Sequence, residues 1–550
     1  MPCTSGVALS VAVFILDDMR ADQLPELPLT NARLADHAVQ FDRAYVTTPM
    51  CCPERSSFLS GGWLPMHTGV LTNEAPRGGA TLFVDDDTLA TRLQSAGYAT
   101  ALHGKYLNEY AELGLYVPPG WTDFAAVAEG DPWVEATVTA GSSTPGASAE
   151  GTEVRAEGYY ADWMAERARQ FVEAHPEGPL FLYSSFRAPH DPYEPEPEDV
   201  GSHADFTWRG GAWQEADVSD KPAWVQRLPR LGKERVAELD EVHRAMQDTL
   251  PSVDRAIISI LDALDASGRL DTTVVIVTSD DGQQWLEHRI TQKGVAYEES
   301  VRVPLVVWNP ELRPHHTDAL VAANLDLAAT ATDLAGLPAT GNGRSLRSVL
   351  CQEEETVRDS VPLQAWPSRF PTWAGVVTPG WKYIETGTGE RELYDLAADP
   401  SEAESVVAAH PDVAAELSAL VAENRGLAII SAALPEGEAG EAFRVQLEAW
   451  GGEGACTWSL VGGVVPLGMT LSPTGLLSGT LPASGEDLDF TVAVVDESVS
   501  PVHGGPQRDV RRFVVPVSGG CGCGEEGEAA GALGALVVAW RWRMRRREGR

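Results

Sequence analysis

Basic side chains are scarce in this chain. Lysine and arginine number 41 against 80 aspartates and glutamates, a formal charge of −39 over 550 residues. Nucleic acid rewards basic patches, so a nucleic-acid partner is excluded. An anionic substrate would have to be drawn by a locally positive pocket. Cysteine is sparse as well: the seven, at positions 3, 51, 52, 351, 456, 521 and 523, are too few and too scattered for a disulfide framework. No Cys-x-x-Cys zinc pattern occurs.

What is present is an α/β pattern over most of a chain long enough for two to four domains. Val11 to Leu16 is a short apolar run of the kind that forms a buried central strand, and it ends in Asp17-Asp18. Pro179 to Phe186 reads as a second buried strand ending in Arg187-Ala188-Pro189-His190. Thr273 to Thr278 reads as a third, ending in Ser279-Asp280-Asp281-Gly282. Amphipathic helical stretches lie between them, around 160–173 and 236–266. Ligands of such sheets sit beyond the carboxyl ends of the strands, so the three polar clusters are expected to converge on one site. Four aspartates brought together would repel by roughly 4 kcal/mol per close pair at an effective dielectric of 20. Convergence therefore implies a cation, and oxygen-only ligands select calcium, or magnesium, over zinc or copper. Taken singly, each Asp pair could merely cap a turn after its strand.

Cys51-Cys52-Pro53-Glu54-Arg55 fits Cys-x-Pro-x-Arg, preceded by Thr47-Thr48-Pro49-Met50 and followed by Ser56-Ser57-Phe58-Leu59-Ser60-Gly61. The segment resembles the active-site signature of the type I sulfatases. The resemblance implies that a separate formylglycine-generating enzyme oxidises Cys51 to formylglycine, whose hydrate is the nucleophile, and that Arg55 holds it. It also implies that Asp17, Asp18, Asp280 and Asp281 bind calcium, with Asp281 standing where the family has Asn or His. Glu54 departs from the family's usual Ser or Ala.

Gly104-Lys105-Tyr106-Leu107-Asn108-Glu109-Tyr110 resembles the corresponding segment of the glucosamine-6-sulfatase and extracellular endosulfatase branch. By that likeness Lys105 contacts the sulfate, and Asn108 stands in for a histidine that other sulfatases carry nearby. His190 matches the histidine that binds sulfate or protonates the leaving group. Lys293, ahead of Tyr297-Glu298-Glu299-Ser300-Val301-Arg302-Val303-Pro304, matches the second sulfate-binding lysine. His288 is assigned to substrate binding as a residue lining the cleft.

The likeness runs from residue 7 to about 428 and implies an alkaline-phosphatase-like fold: a large mixed sheet flanked by helices in 1–345, then a small antiparallel subdomain with a closing helix in 346–430. Residues 431–517 are rich in Gly and Pro with alternating apolar segments, and resemble an Ig-like β-sandwich module whose bland role is a spacer. Residues 518–550 carry Cys521-Gly522-Cys523, an apolar run from Ala529 to Trp540 and arginines at 541, 543, 545, 546, 547 and 550. That run would span about 18 Å as a helix, short of a membrane's hydrocarbon core. It resembles bacterial sorting tails of the MYXO-CTERM type, which implies a sorting protease and export to the cell surface or beyond. The apolar stretch from Val7 is the strand leading to Asp17 and not a leader, so the true start is expected upstream.

The function expected is hydrolysis of a sulfate ester on a sulfated saccharide. A phosphodiesterase or phosphonate monoester hydrolase of the same fold is one alternative. An inactive glycan-binding surface protein is the other.

Overall fold

The computed structural model describes Cys3 and residues 8–127, 133–431, 434–465 and 468–519. The sorting-tail assignment, apart from 518–519, therefore lies outside the described residues.

Ten strands form the main sheet: β1 (Ser10–Leu16), β2 (Ala38–Phe41), β3 (Ala99–Lys105), β4 (Asp123–Val127), β5 (Thr137–Gly141), β6 (Thr152–Arg155), β7 (Leu180–Ser185), β8 (Thr273–Ser279), β9 (Leu305–Trp308) and β10 (His315–Thr317). Their order is β10-β2-β9-β8-β1-β7-β3-β4-β5-β6. The five central strands from β8 to β4 run parallel, and antiparallel pairs extend both edges. All seven residues of β1 are buried, as a strand covered on both faces requires. Its alternate side chains feed two cores. Val11, Val13 and Ile15 pack with Phe58, Leu59 and Leu102 on one face. Ala12, Phe14 and Leu16 pack on the other with Met164, Ile257 and Ile260, from α2 (Tyr160–Ala174) and α4 (Leu250–Ala266).

The stretch expected as one helix over 236–266 is two, α3 (Lys233–Gln247) and α4. Pro251 explains the break: it has no N–H to donate and is tolerated only in a first turn. The strands β4, β5 and β6 extend one sheet edge. Their short runs carry no apolar stretch long enough to announce a strand.

Four antiparallel strands at Val361–Ala365, Trp373–Val377, Trp381–Thr386 and Arg391–Asp395 make the small second sheet. The helix Pro411–Asn424 closes it by packing Ala414, Leu417 and Val421 onto Val376, Tyr383 and Leu393. A disulfide joins Cys3 to Cys351, a pairing that the scattered cysteines did not announce.

The last module is a β-sandwich of two three-stranded sheets, 442–446 with 476–480 and 469–471, and 457–463 with 488–495 and 508–515. Its first strand, Ala428–Ile429, pairs with Ala449–Trp450, slightly ahead of the boundary at 431. Trp458 is buried in the module's core with Phe490 and Phe513 and offers no sugar platform. The module does not hang from the chain as a spacer. Asp509 pairs with Arg77 at 2.7 Å, and Ser500 Oγ donates to the His67 carbonyl at 2.7 Å.

Candidate active site

The parallel register brings the sequence clusters together. Leu16 lies opposite Ser279 across the β1–β8 pair, so Asp17 and Asp280 leave neighbouring strand ends side by side. The Asp18 N–H donates to Asp280 Oδ1 at 3.1 Å, and the Met19 N–H to Ser279 Oγ at 2.9 Å. On the other flank β7 and β3 deliver His190 and Lys105. Gly104 makes this approach possible: a Cβ there would lie 1.8 Å from the Ser185 carbonyl oxygen.

Cys51 opens α1 (Cys51–Leu59), a helix buried on every side. Pro53 sits in its first turn, where the backbone N–H groups have no helical partner to lose. The helix stops at Ser60, after which Gly61 takes a φ of +91°. Cys51 lies at the positive end of the helix dipole with its Sγ 3.5 Å from Asp17 Oδ1 and 2.9 Å from Lys293 Nζ. Burial pushes its thiol up to about 12. Cys52 is engaged elsewhere: its N–H donates to Asn73 Oδ1 at 2.9 Å and its sulfur accepts the Asn108 N–H at 3.0 Å.

Arg55 is the hub under the site. Its Nε donates to Asp280 Oδ2 at 2.8 Å, and one terminal nitrogen donates to the Lys105 carbonyl at 3.1 Å and to Ser185 Oγ. Its other terminal nitrogen is buried 3.8 Å from Asp17 Oδ1 with no hydrogen-bond partner. Lys105 Nζ donates to Asp17 Oδ2 at 2.6 Å. Lys293 Nζ binds Asp18 Oδ1 and, at 3.1 Å, Asp281 Oδ1. His190 turns Nδ1 to the Asp191 carbonyl at 2.6 Å and Nε2 toward Asp18 Oδ2 at 3.9 Å.

The charges divide by depth. Asp280, Asp281 and Arg55 are fully enclosed, whereas the side chains of Lys105, Lys293 and His190 keep 10%, 18% and 22% exposure, so the cleft shows its nitrogens to an incoming anion. Burial alone would raise the Asp17 carboxyl, but Lys105, His190, Arg55 and Lys293 together hold it well below the ordinary value. Asp281 goes the other way: burial pushes it well up, and Asp280 and Asp18 add to this against Lys293. Burial opposes protonation of His190, and Asp18 and Asp17 overcome it and raise the imidazole.

The donor set fits a hard divalent cation. Asp17, Asp18 and His190 with Cys51, and Asp280 and Asp281 with Cys51, place ligand-type atoms within 4.8 Å of one another. Asp281 Oδ2 is buried with no hydrogen-bond donor, an oxygen that a cation would satisfy.

The sulfatase family profile matches residues 12–337. This chain belongs to the sulfatase family. A second profile, the C-terminal part of N-sulphoglucosamine sulphohydrolase, matches 286–425, and an Ig-domain profile matches 427–503. The extracellular sulfatase SULF-1 homolog of Drosophila melanogaster is 30% identical over 379 residues, covering 64% of this chain and 32% of its own length. The N-acetylglucosamine-6-O-sulfatase of Bacteroides thetaiotaomicron is 25% identical over 68% of this chain and 77% of its own. The chain thus spans a third to about three quarters of these curated relatives. Among solved structures, one described in complex with its substrate D-glucosamine-2-N,6-O-disulfate superposes with a TM-score of 0.65 at 22% identity, over 76% of this sulfatase and 97% of that chain. The phosphonate monoester hydrolase of Agrobacterium radiobacter superposes at 0.59 and 21%, over 76% and 95%. Both show the shared alkaline-phosphatase-like fold.

Two assigned residues of this sulfatase sit away from the cleft surface. His288 is wholly enclosed, bonded to Glu215 and packed against the tilted Tyr297 ring, so the cleft-lining expectation does not hold. Its left-handed backbone, φ +49°, turns the ring into the protein. Asn108 lies behind the nucleophile, its Oδ1 3.4 Å from the Cys52 sulfur. Sequence reasoning passed over Ser185 and Asn73, which hold Arg55 and the start of α1. A small polar residue closing an apolar strand was the available signal for Ser185; Asn73 had none. Glu54 is buried with Oε2 unpartnered, and burial and Asp280 push its carboxyl well up.

Proposed function

We propose that this sulfatase hydrolyses a sulfate ester on a sugar, with 6-O-sulfated glucosamine units as the substrate class. The observation that carries the reading is the convergence of Lys105, Lys293, Arg55 and His190 on Cys51 above four aspartates. Positive groups gathered at one point in a chain of strongly negative net charge favour an anionic reacting group there.

Asp17, Asp18, Asp280 and Asp281 would hold calcium, which supplies a fixed positive charge for the non-bridging oxygens of the ester. A formylglycine made from Cys51 by a formylglycine-generating enzyme supplies, as its hydrate, the attacking oxygen. The chain's own residues do the rest. Arg55 orients position 51 and balances Asp280 and Asp17. Lys105 and Lys293 bind the sulfuryl oxygens and counter charge as it moves to the leaving oxygen. His190 at Nε2 donates a proton to the departing alcohol, the Asp18 and Asp17 carboxylates favouring its protonated form. Asn108 and His288 act through neighbours, Asn108 under Cys52 and His288 under the loop that carries Lys293.

Among the described residues no helix is long and apolar enough to cross a membrane. The extracellular relatives support export; the sorting-type pattern at 518–550 makes the surface or medium of a bacterium the destination, with a sorting protease removing the tail.

The test is turnover of an aryl sulfate, a phosphodiester and a panel of defined sulfated saccharides, with the mass of the peptide containing position 51 read in parallel. Aldehyde at 51 with sulfate release lost in Cys51→Ala and Asp280→Ala supports the proposal. Preference for the phosphodiester assigns the protein to phosphonate or phosphodiester hydrolysis. Glycan binding with no turnover and an unmodified Cys51 leaves an adhesion protein.

A further inference from the structure

The loop that carries Lys293 contributes to a second cluster of ligand-type side chains. A ring nitrogen of His288, a carboxylate oxygen of Glu299 and one of Glu402 lie within 4.8 Å of one another. His288 is fully buried, and its Nδ1 is 2.7 Å from Glu215 Oε2. Its Nε2 is buried with no hydrogen-bond partner, and so is Glu299 Oε2. Two enclosed polar atoms left unsatisfied in one cluster call for an occupant.

The histidine is set up as a ligand. A carboxylate on Nδ1 places the proton there and leaves the Nε2 lone pair free, the arrangement that orients metal-bound imidazoles. The neighbouring cations are already engaged. Arg20 pairs with Glu287 at 2.8 Å, Lys382 with Glu298 at 2.7 Å and Glu402 at 2.8 Å, and Lys221 with Asp220 at 2.8 Å. Among the described residues Glu299 makes no ion pair. Glu402 also accepts the Glu298 N–H at 2.7 Å, and its oxygens each keep a second lone pair for a ligand bond.

We propose that His288, Glu299 and Glu402 bind a second divalent cation, of the class that takes imidazole nitrogen together with carboxylate oxygen, zinc above all, distinct from the oxygen-only aspartate site. His288 and Glu299 flank Lys293 in sequence, and Glu402 follows the last strand of the small sheet. The ion ties the lysine loop to the C-terminal subdomain. It takes no part in the chemistry at Cys51, so the inference is independent of the sulfate-ester reading.

The full chain, stripped with chelator and dialysed, is loaded with Zn2+ and its retained metal counted by mass spectrometry. Wild type is expected to retain one zinc per chain and to gain several degrees in Tm. Loaded with Co2+ instead, it should show d–d absorption of an imidazole-bound ion. His288→Gln should lose the zinc, the Tm gain and the cobalt bands, Glu299→Gln should weaken zinc binding at least tenfold, and Asp17→Asn should keep all three signals. Should His288→Gln fail to fold by circular dichroism, Glu299→Gln, whose side chain is partly exposed, carries the test. Zinc retained equally by wild type and both variants, or by none of them, overturns the proposal.

Discussion

Arg55 donates through Nε to Asp280 Oδ2 at 2.8 Å with both side chains wholly buried, so the arginine of the Cys-x-Pro-x-Arg segment and the aspartate after β8 neutralise one another across 225 residues of sequence. Removing one partner would leave an uncompensated buried charge. Arg55→Met is therefore expected to cost about 3–5 kcal/mol of stability in addition to activity. Denaturant unfolding measures it, and a loss below about 1 kcal/mol would mean that Asp280 is neutralised by something else.

Lys293 differs from Arg55 because its ammonium is partly exposed and faces the cleft. Lys293→Ala should lower kcat about 10²–10³-fold, the range for removing one fixed transition-state charge, with Tm changed little. Steady-state kinetics beside thermal unfolding separates the two roles. A large Tm drop with kcat near wild type would make the lysine structural.

His243 lies buried against the Trp285 ring with centroids 5.0 Å apart, and burial together with Arg20 pushes its imidazole down to about 3. An unfolded histidine titrates near 6.5. Between those values the unfolded state binds the extra proton, so this group makes stability fall as pH drops from about 6.5 to 3. The slope it contributes is about 1.4 kcal/mol per pH unit. His243→Gln should flatten the acid limb of the stability curve by up to that amount, read from urea unfolding at stepped pH; an unchanged slope refutes the assignment.

The Ig-like module and the catalytic unit meet through Arg77 and the buried Asp509. Arg77→Ala leaves that carboxylate short of a partner and should split one calorimetric unfolding transition into two, the module melting first. A single transition at the wild-type temperature would show that the remaining contacts suffice.

Much of this could be read in the sequence because central parallel strands are apolar on both faces and end abruptly in polar residues. Leu16 to Asp17, and Ser279 to Asp280, mark both the strand and the site at its end. Lys105 and Lys293 were reached by likeness to a family, since a lone lysine has no periodicity to give it away. His288 was misplaced for a physical reason: its direction depends on a left-handed φ at a residue other than glycine, which no local pattern encodes. The Cys3–Cys351 bond and the docking of the module through Asp509 join segments hundreds of residues apart, and neither leaves a trace in nearby sequence.

The complete enclosure of Cys51 at the start of α1 sets an order of events. In the finished fold the segment 51–55 is helical and buried, out of reach of any modifying enzyme of the kind proposed above. Under the proposed function, oxidation of Cys51 would have to outrun folding. Chains that folded first would be packed but without the proposed nucleophile, so the active fraction of a preparation would record a race run during synthesis.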